Sequence, residues 1–264
     1  MISREWMVPL AKGRYSARLA ASTADLTAAL ALRHLRFRAR RGPGHAASDE
    51  DSFDAACQHM LVHDATTGDL LCCYRLMTFA SGRSLATSYA AQFYDLAPLA
   101  SHTRPLIELG RFCLHPAHHD PDILRLAWAA LTRLVDTSHA AMLFGCSSFD
   151  GADPTAHAAA LGHLARHHLA PTTLNPGVRA PGAVDLRPLA DLRSLAGQAP
   201  DRAPLPPLLK TYLAMGGSVS DHAVIDRDLD TLHVFTALPI AAIPRHRAAA
   251  LRALAAEPHG SVSV

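Results

Sequence analysis

Apolar positions along the chain change period several times, and each change marks an element. Short alternation over Arg14–Ala20 predicts a first strand. Ser22 or Thr23 then stands where a helix cap is wanted, ahead of Leu26, Leu30 and Phe37 at near-helical spacing. A Gly/Pro/Ser-rich loop, "GPGHAASDEDSFD", comes next. Gln58–Asp64 and Asp69–Phe79 read as strands joined by "ATTG", a hairpin signal. The stretch "SGRSLATSYAAQFYDLAPL" carries no period and is expected to be irregular. Leu106–His115 is a further strand. In Asp122–Ser138, Leu124, Trp128, Leu131 and Val135 mark one face of an amphipathic helix. Met142–Ser147 is a short strand, after which Asp153 caps a helix with Pro154 at its first position and His168 near its end.

Residues 175–206, rich in Pro, Ala and Arg, read as a connecting arm. Beyond it "LPPLLKTYLAMGG" predicts a helix, "SVSDHAVIDRDLDTLHVFTAL" a hairpin, and Ala241–Ala256 a basic, Ala-rich helix. Strand–helix–strand–strand–strand–helix–strand–helix is an α/β (α+β) order, with a mixed central sheet flanked by helices and a C-terminal helical and hairpin extension. The expected division is a core over 1–174 and an arm with extension over 175–264, packed on it.

Composition narrows the function. Apolar residues make up 49% of 264, enough for a sizeable core, and a net charge of +2 argues against a general nucleic-acid binder. Lys occurs only at Lys12 and Lys210, so 23 of the 25 basic residues are Arg, the residue that grips carboxylates and phosphates bidentately. Five scattered cysteines inside apolar runs suggest reduced, buried thiols of a cytosolic protein. No stretch has the apolar length of a signal peptide or a membrane span, so the expectation is a cytoplasmic protein, peripheral to the inner membrane at most.

The strand "IELGRFCLHP" contains a conflict. Glu108 and Arg111 are three residues apart, which in a regular strand puts them on opposite faces, each needing a partner inside an apolar run. A β-bulge re-aims the residues after it, and Gly110 lies between the two charges. With such an irregularity both side chains face one cleft. Nearby in type are Asp51 and Asp54 in "DSFD", Arg75 in "YRLM", and Arg33 with Phe37 on the first helix.

This constellation resembles the acyl-homoserine-lactone synthases of the GNAT superfamily, whose pattern runs Arg-x-x-x-Phe, D-x-[FY]-D, an Arg in the next hairpin, then E-x-x-R-F. Arg33/Phe37, Asp51/Asp54, Arg75 and Glu108/Arg111/Phe112 match it. A closer resemblance, over nearly the whole chain, is to bacterial L-ornithine Nα-acyltransferases. It rests on "ELGRFCLHP", "DILRLAWAAL", "LFGCSSFDGADPTAHAAALGHLARHHLAP", "LPPLLKTYLAMGG" and "VIDRD".

The resemblance implies transfer of a 3-hydroxyacyl chain from acyl carrier protein to the α-amine of ornithine, giving lyso-ornithine lipid, with no other cofactor and transient contact with a membrane surface. It implies Glu108 as general base with Arg111 beside it, and Asp51, Asp54, Arg75 and Phe37 around the amino-acid substrate. The residues fit that chemistry. An attacking amine must be neutral, and a carboxylate accepts its proton directly or through water. A second ammonium held by Asp51 and Asp54 stays protonated and cannot attack, and Arg75 or Arg111 suits the α-carboxylate. The alternatives are an ion pair that only fixes the bulge for Glu108, and solvated loop acids for the aspartates.

The arginine run Arg33, Arg36, Arg38, Arg40 suits an acidic carrier-protein surface, or is an ordinary helix end. Acetyl-CoA-using GNATs carry a glycine-rich loop for pyrophosphate after the corresponding strand; here it reads "AHHDPD", with acids and no glycine. Ser147 is a candidate to stabilise the departing thiolate, or else a strand-end cap. The clusters "HPAHHDPD" and "HLARHH" lack the spacing of a known metal site, so no metal is expected. Two rival readings are another acyl-carrier-dependent N-acyltransferase, of homoserine-lactone-synthase type or with a different amine, and a GNAT-derived binding module without turnover.

Overall fold

The computed structural model describes residues 8–39, 48–194 and 205–256. They form a mixed α/β architecture that divides into two compact units, interleaved along the chain. The first takes its described residues from Met1–Met77, Leu109–His139 and Arg245–Val264; the second from Thr78–Glu108 and Ala140–Pro244.

In the first unit, β2 (Tyr15–Leu19) is the predicted opening strand, and β1 (Leu10–Lys12), which the pattern does not show, precedes it and pairs with it antiparallel. Helix α1 (Thr23–Phe37) starts at Ser22, whose hydroxyl accepts the Asp25 N–H. β2 pairs antiparallel with β3 (Gln58–Asp64), and β3 with β4 (Leu70–Phe79), the last residues of which belong to the second unit. β4 is followed in the sheet by β6 (Leu106–Leu114), whose second half belongs here. Helix α2 (Pro121–Ser138) buries Ile123, Leu126, Trp128, Leu131 and Val135, the predicted stripe with Leu124 replaced by its neighbours. It ends where His139 adopts left-handed backbone, φ 53°, a common helix stop. Helix α5 (Arg245–Ala256) pairs with it through Arg252 and Asp136, Nε to Oδ2 2.8 Å.

The second unit holds the first half of β6, then β7 (Met142–Asp150), β11 (Thr231–Pro239), β10 (Ser218–Asp226) and β9 (Val184–Asp185) in sheet order. The β6–β7 ladder is parallel and the others antiparallel, so the expected mixed sheet is present. Its parallel part is short: Leu106–Glu108 against Met142–Phe144. One sheet face packs Phe149, Val219, Ala223, Leu232 and Val234 with Leu161 and Leu164 of α3 (Ala158–His167) and Leu209 of α4 (Pro207–Ala214). Asp153 caps a short 3-10 turn, Pro154–His157, that leads into α3. The aperiodic stretch after β4 contains 3-10 turns and the two-residue strand β5 (Tyr94–Asp95), paired with β8 (Gly177–Val178). No helix among the described residues is long and apolar enough to cross a membrane.

Candidate active site

The loop before β3 folds on its own side chains. Asp51 Oδ1 accepts the Phe53 N–H at 3.0 Å and Asp54 Oδ2 accepts the Asp51 N–H at 2.9 Å. This turn exposes Ser48, Glu50 and Ser52 and directs Asp49, Asp51 and Asp54 inward. Four arginines meet them. Arg33 comes from the buried stripe of α1, four residues after Ala29 and four before Phe37; Arg38 is the residue after that helix. Arg75 comes from β4 and Arg111 from β6.

The contacts form one network. Arg33 Nη1 meets Asp54 Oδ1 at 2.6 Å and Arg33 Nε meets Asp49 Oδ2 at 2.8 Å. Arg38 Nε reaches Asp49 Oδ1 at 3.0 Å. Arg75 Nη1 bridges Asp51 Oδ1 at 2.6 Å and Asp54 Oδ1 at 2.8 Å, and its guanidinium lies 5.8 Å from the Phe53 ring centroid. Arg111 Nε donates to Asp49 Oδ2 at 2.9 Å and its Nη2 is 3.3 Å from Asp51 Oδ2. The Asp51 side chain, 22% exposed, is the open end of the network; Asp49 is fully buried.

Pairing decides the protonation states. Burial works against ionised Asp54, but Arg33, the Asp51 N–H and Arg75 outweigh it and hold the carboxyl down at about 2. Burial also opposes ionised Asp49, and there Arg111 and Arg33 prevail, keeping it below the usual carboxylate range. His59, whose Nε2 is 3.1 Å from the Asp54 carbonyl oxygen, is pushed down by burial and stays neutral near pH 7.

The expected irregularity in β6 is present, but its centre is Arg111 rather than Gly110. Arg111 has φ 52°, a left-handed conformation that costs a residue with a Cβ about 1–2 kcal/mol. Phe112, the next residue, stacks on Tyr74 at 5.0 Å between ring centroids with the ring planes nearly parallel, and its centroid lies 6.2 Å from that of Trp128. Glu108 precedes the kink and is buried. Its Oε2 accepts the Tyr89 N–H at 2.8 Å and its Oε1 the Ala90 N–H at 2.7 Å. It thereby anchors the start of the 3-10 turn Ala90–Gln92 to its strand.

Several expectations need correction. Arg33 and Arg38 are buried and tied to the acidic loop, so neither belongs to a carrier-docking surface. Arg36 is half-buried, and Arg40 lies outside the described residues. Asp54 is also interior, with both oxygens taken by Arg33, Arg75 and a backbone N–H, so it does not face a substrate. Phe37 packs on the core of Ala29, Leu32, Leu61, Cys73 and Cys113. Ser147 is buried in the second unit, where its oxygen accepts the Thr236 hydroxyl at 2.9 Å. Asp49 is a network residue that the sequence reading does not single out. The available signal is the alternation in "DEDSFD", which turns Asp49 and Asp51 to the face opposite that of Glu50.

The loop between β6 and α2 is held by an acid. Asp120 Oδ1 accepts the Asp122 N–H at 2.9 Å, capping α2, and Oδ2 accepts the Tyr15 hydroxyl at 2.7 Å. No group of three or more His, Cys, Asp or Glu side chains among the described residues is arranged to hold a metal.

Comparison with known proteins gives consistent results. Residues 32–129 match the family described as acetyltransferase (GNAT) domain. An L-ornithine N(alpha)-acyltransferase of Rhodobacter capsulatus is 32% identical over 249 residues, covering 88% of this chain and 93% of the relative. One from Brucella abortus is 34% identical over 249 residues, 86% of this chain and 85% of the relative. Among solved structures, an N-acyl amino acid synthase from uncultured soil microbes aligns with TM-score 0.50 at 12% identity, over 87% of this chain and 94% of that one, which shows a shared GNAT-like fold.

Proposed function

The chain belongs to the L-ornithine N(alpha)-acyltransferase family and is an N-acyltransferase, and from that premise we propose that it moves a 3-hydroxyacyl chain from acyl carrier protein to the α-amine of ornithine, giving lyso-ornithine lipid. The acceptor is supported by the names of its relatives and by the open end of the arginine–aspartate network. There Asp51 and Arg111 offer a carboxylate and a guanidinium together. That pairing complements an amino acid, with an ammonium to Asp51 and the α-carboxylate to Arg111.

The observation that carries the donor reading is the carboxylate at the N-terminus of α2. A helix N-terminus after this strand is a natural seat for the pyrophosphate of coenzyme A. Here Asp120 fills it with negative charge and uses the Asp122 N–H itself. The phosphopantetheine arm of a carrier protein has no pyrophosphate and loses nothing by this.

Chemistry then requires the α-ammonium to lose a proton, the amine to attack the thioester carbonyl, and the thiolate to leave. The Glu108 carboxylate is buried and accepts the Tyr89 and Ala90 N–H groups. Glu108 remains the proposed proton acceptor, acting through water.

The test is purified protein with 3-hydroxyacyl carrier protein or the matching acyl-CoA, and with ornithine, lysine or glutamine, followed by mass spectrometry of the acylated amino acid. Nα-acyl-ornithine from the carrier donor is expected. Faster acylation of lysine or glutamine, or a preference for acyl-CoA, would sink the corresponding half of the reading.

A further inference from the structure

The buried centre of the arginine–aspartate network is not one of the residues facing its open end. Asp49 is fully buried and receives three arginines: Arg33 Nε at 2.8 Å and Arg111 Nε at 2.9 Å on Oδ2, and Arg38 Nε at 3.0 Å on Oδ1. Its backbone oxygen takes a fourth bond, from Arg33 Nη2 at 2.7 Å. Arg33 and Arg38 are themselves interior, so two of these arginines fix Asp49 to the end of α1. The third, Arg111, is the residue whose backbone is left-handed at φ 52°. A strained backbone persists where surrounding contacts over-determine it. At Arg111 those contacts are the Asp49 carboxylate on the side chain and the Phe112 stack on Tyr74 immediately after.

We infer that Asp49 is the positioning residue for Arg111: it clamps the guanidinium through Nε and so leaves the Nη face aimed at the amino-acid substrate. The inference rests on the proposed reading in which Arg111 receives the α-carboxylate. The Nε contact matters because the guanidinium is a rigid planar fork. Fixing Nε–H on one carboxylate sets the direction of both Nη groups, one of which already points at Asp51 Oδ2. Asp49 therefore touches no substrate but decides where Arg111 points.

Asp49→Asn removes the charge at constant shape, and Asp49→Glu keeps the charge but displaces the carboxylate by one methylene. The second variant serves if the first does not fold. With either, KM for ornithine is expected to rise about tenfold or more while kcat changes less than about threefold, because a misaimed Arg111 weakens substrate binding. Adding Arg111→Lys to the Asp49 variant should cost little beyond Arg111→Lys alone, since residues acting as a unit are non-additive. A spectroscopic readout stands apart from turnover. The Arg111 Nε–H resonance, assigned by its loss in Arg111→Lys, should exchange slowly with solvent in the wild type and quickly in the Asp49 variants. An unchanged KM with only a lowered melting temperature, additive effects, or an unmoved Arg111 resonance would each overturn the assignment. If the wild type acylates no ornithine, the functional reading falls, and the resonance still decides whether Asp49 holds Arg111.

Discussion

The Arg33 guanidinium meets the Asp54 carboxylate edge to edge, Nη1 to Oδ1 at 2.6 Å and Nη2 to Oδ2 at 3.2 Å, with both side chains almost completely buried. Breaking such a pair leaves an uncompensated charge inside the protein and costs about 3–5 kcal/mol. Asp54→Asn is therefore expected to lower the melting temperature sharply, or to prevent folding, before any effect on substrate selection is seen. A variant that melts like the wild type would show the pair to be dispensable.

Asp51 is the aspartate whose substitution tests acceptor recognition. Asp51→Asn should raise KM for ornithine and narrow its advantage over norvaline, a neutral acceptor of similar length. A charge-assisted hydrogen bond is worth about 1.5–3 kcal/mol, so the lost discrimination is about 10- to 100-fold. The measurement is the ratio of kcat/KM for the two amines in each protein. An unchanged ratio would mean that Asp51 does not read the side chain.

Glu108→Gln has two consequences that must be separated. The amide NH2 is set against the Tyr89 or Ala90 N–H, a donor facing a donor, at a cost of about 1–3 kcal/mol. Loss of a general base lowers turnover by about 10²- to 10⁴-fold. Melting curves measure the first effect. Single-turnover rates at a temperature where the variant is fully folded measure the second, and a wild-type rate there removes Glu108 from the chemistry.

Asp120 tests the donor. Asp120→Ser keeps a capping oxygen on α2 but removes the negative charge. A charge at a helix terminus is worth about 0.3–1 kcal/mol, so the acyl-CoA to acyl-carrier rate ratio should rise roughly two- to fivefold. No change in that ratio would detach Asp120 from donor selection.

Acid should destabilise the protein through its histidines. Burial lowers His59, His63 and His168, and brings His233 to about 4. For a histidine held down in the folded state, the unfolded chain takes up the proton first as pH falls. The stabilisation is thus complete above about 6.5 and is lost from there down to about 4. A difference of that size at His233 corresponds to about 3 kcal/mol. Denaturant melts across this range should show the loss, and His233→Asn should flatten it. The paired aspartates fail later: the stabilisation from Asp54 is lost between the ordinary carboxylate value, 3.8, and about 2.

The regular elements are legible in the sequence because period is a local property. β3 has the bounds predicted for it, Gln58–Asp64, and α2 starts one residue before the predicted Asp122. The arginines of "RHLRFRARR" read locally as a docking surface for an acidic partner or as a solvated helix end, and for Arg33 and Arg38 both readings fail. What buries Arg33 is a loop sixteen residues on, through Asp49, and no local pattern announces a partner at that distance. A hint exists in the position of Arg33 on the same stripe as Ala29 and Phe37, where a solvated arginine has no place. The kink in β6 is foreseeable from the charge conflict between Glu108 and Arg111. Its location is not, because glycine is the usual carrier of a left-handed φ and here arginine adopts it.

Helix α5 contributes Arg252 to an ion pair with Asp136 of α2, across 116 residues of chain. Both belong to the first unit, and the whole of the second unit's Ala140–Pro244 is made between them. During vectorial synthesis the first unit must wait without α5 on α2 while the larger, second segment of the other unit, Ala140–Pro244, leaves the ribosome. Late closure of this kind leaves the first unit incomplete, and open to chaperones and to misassembly, for as long as translation lasts. Slowing the ribosome over residues 140–244 should therefore lower the soluble yield without altering the melting temperature of the protein that does fold.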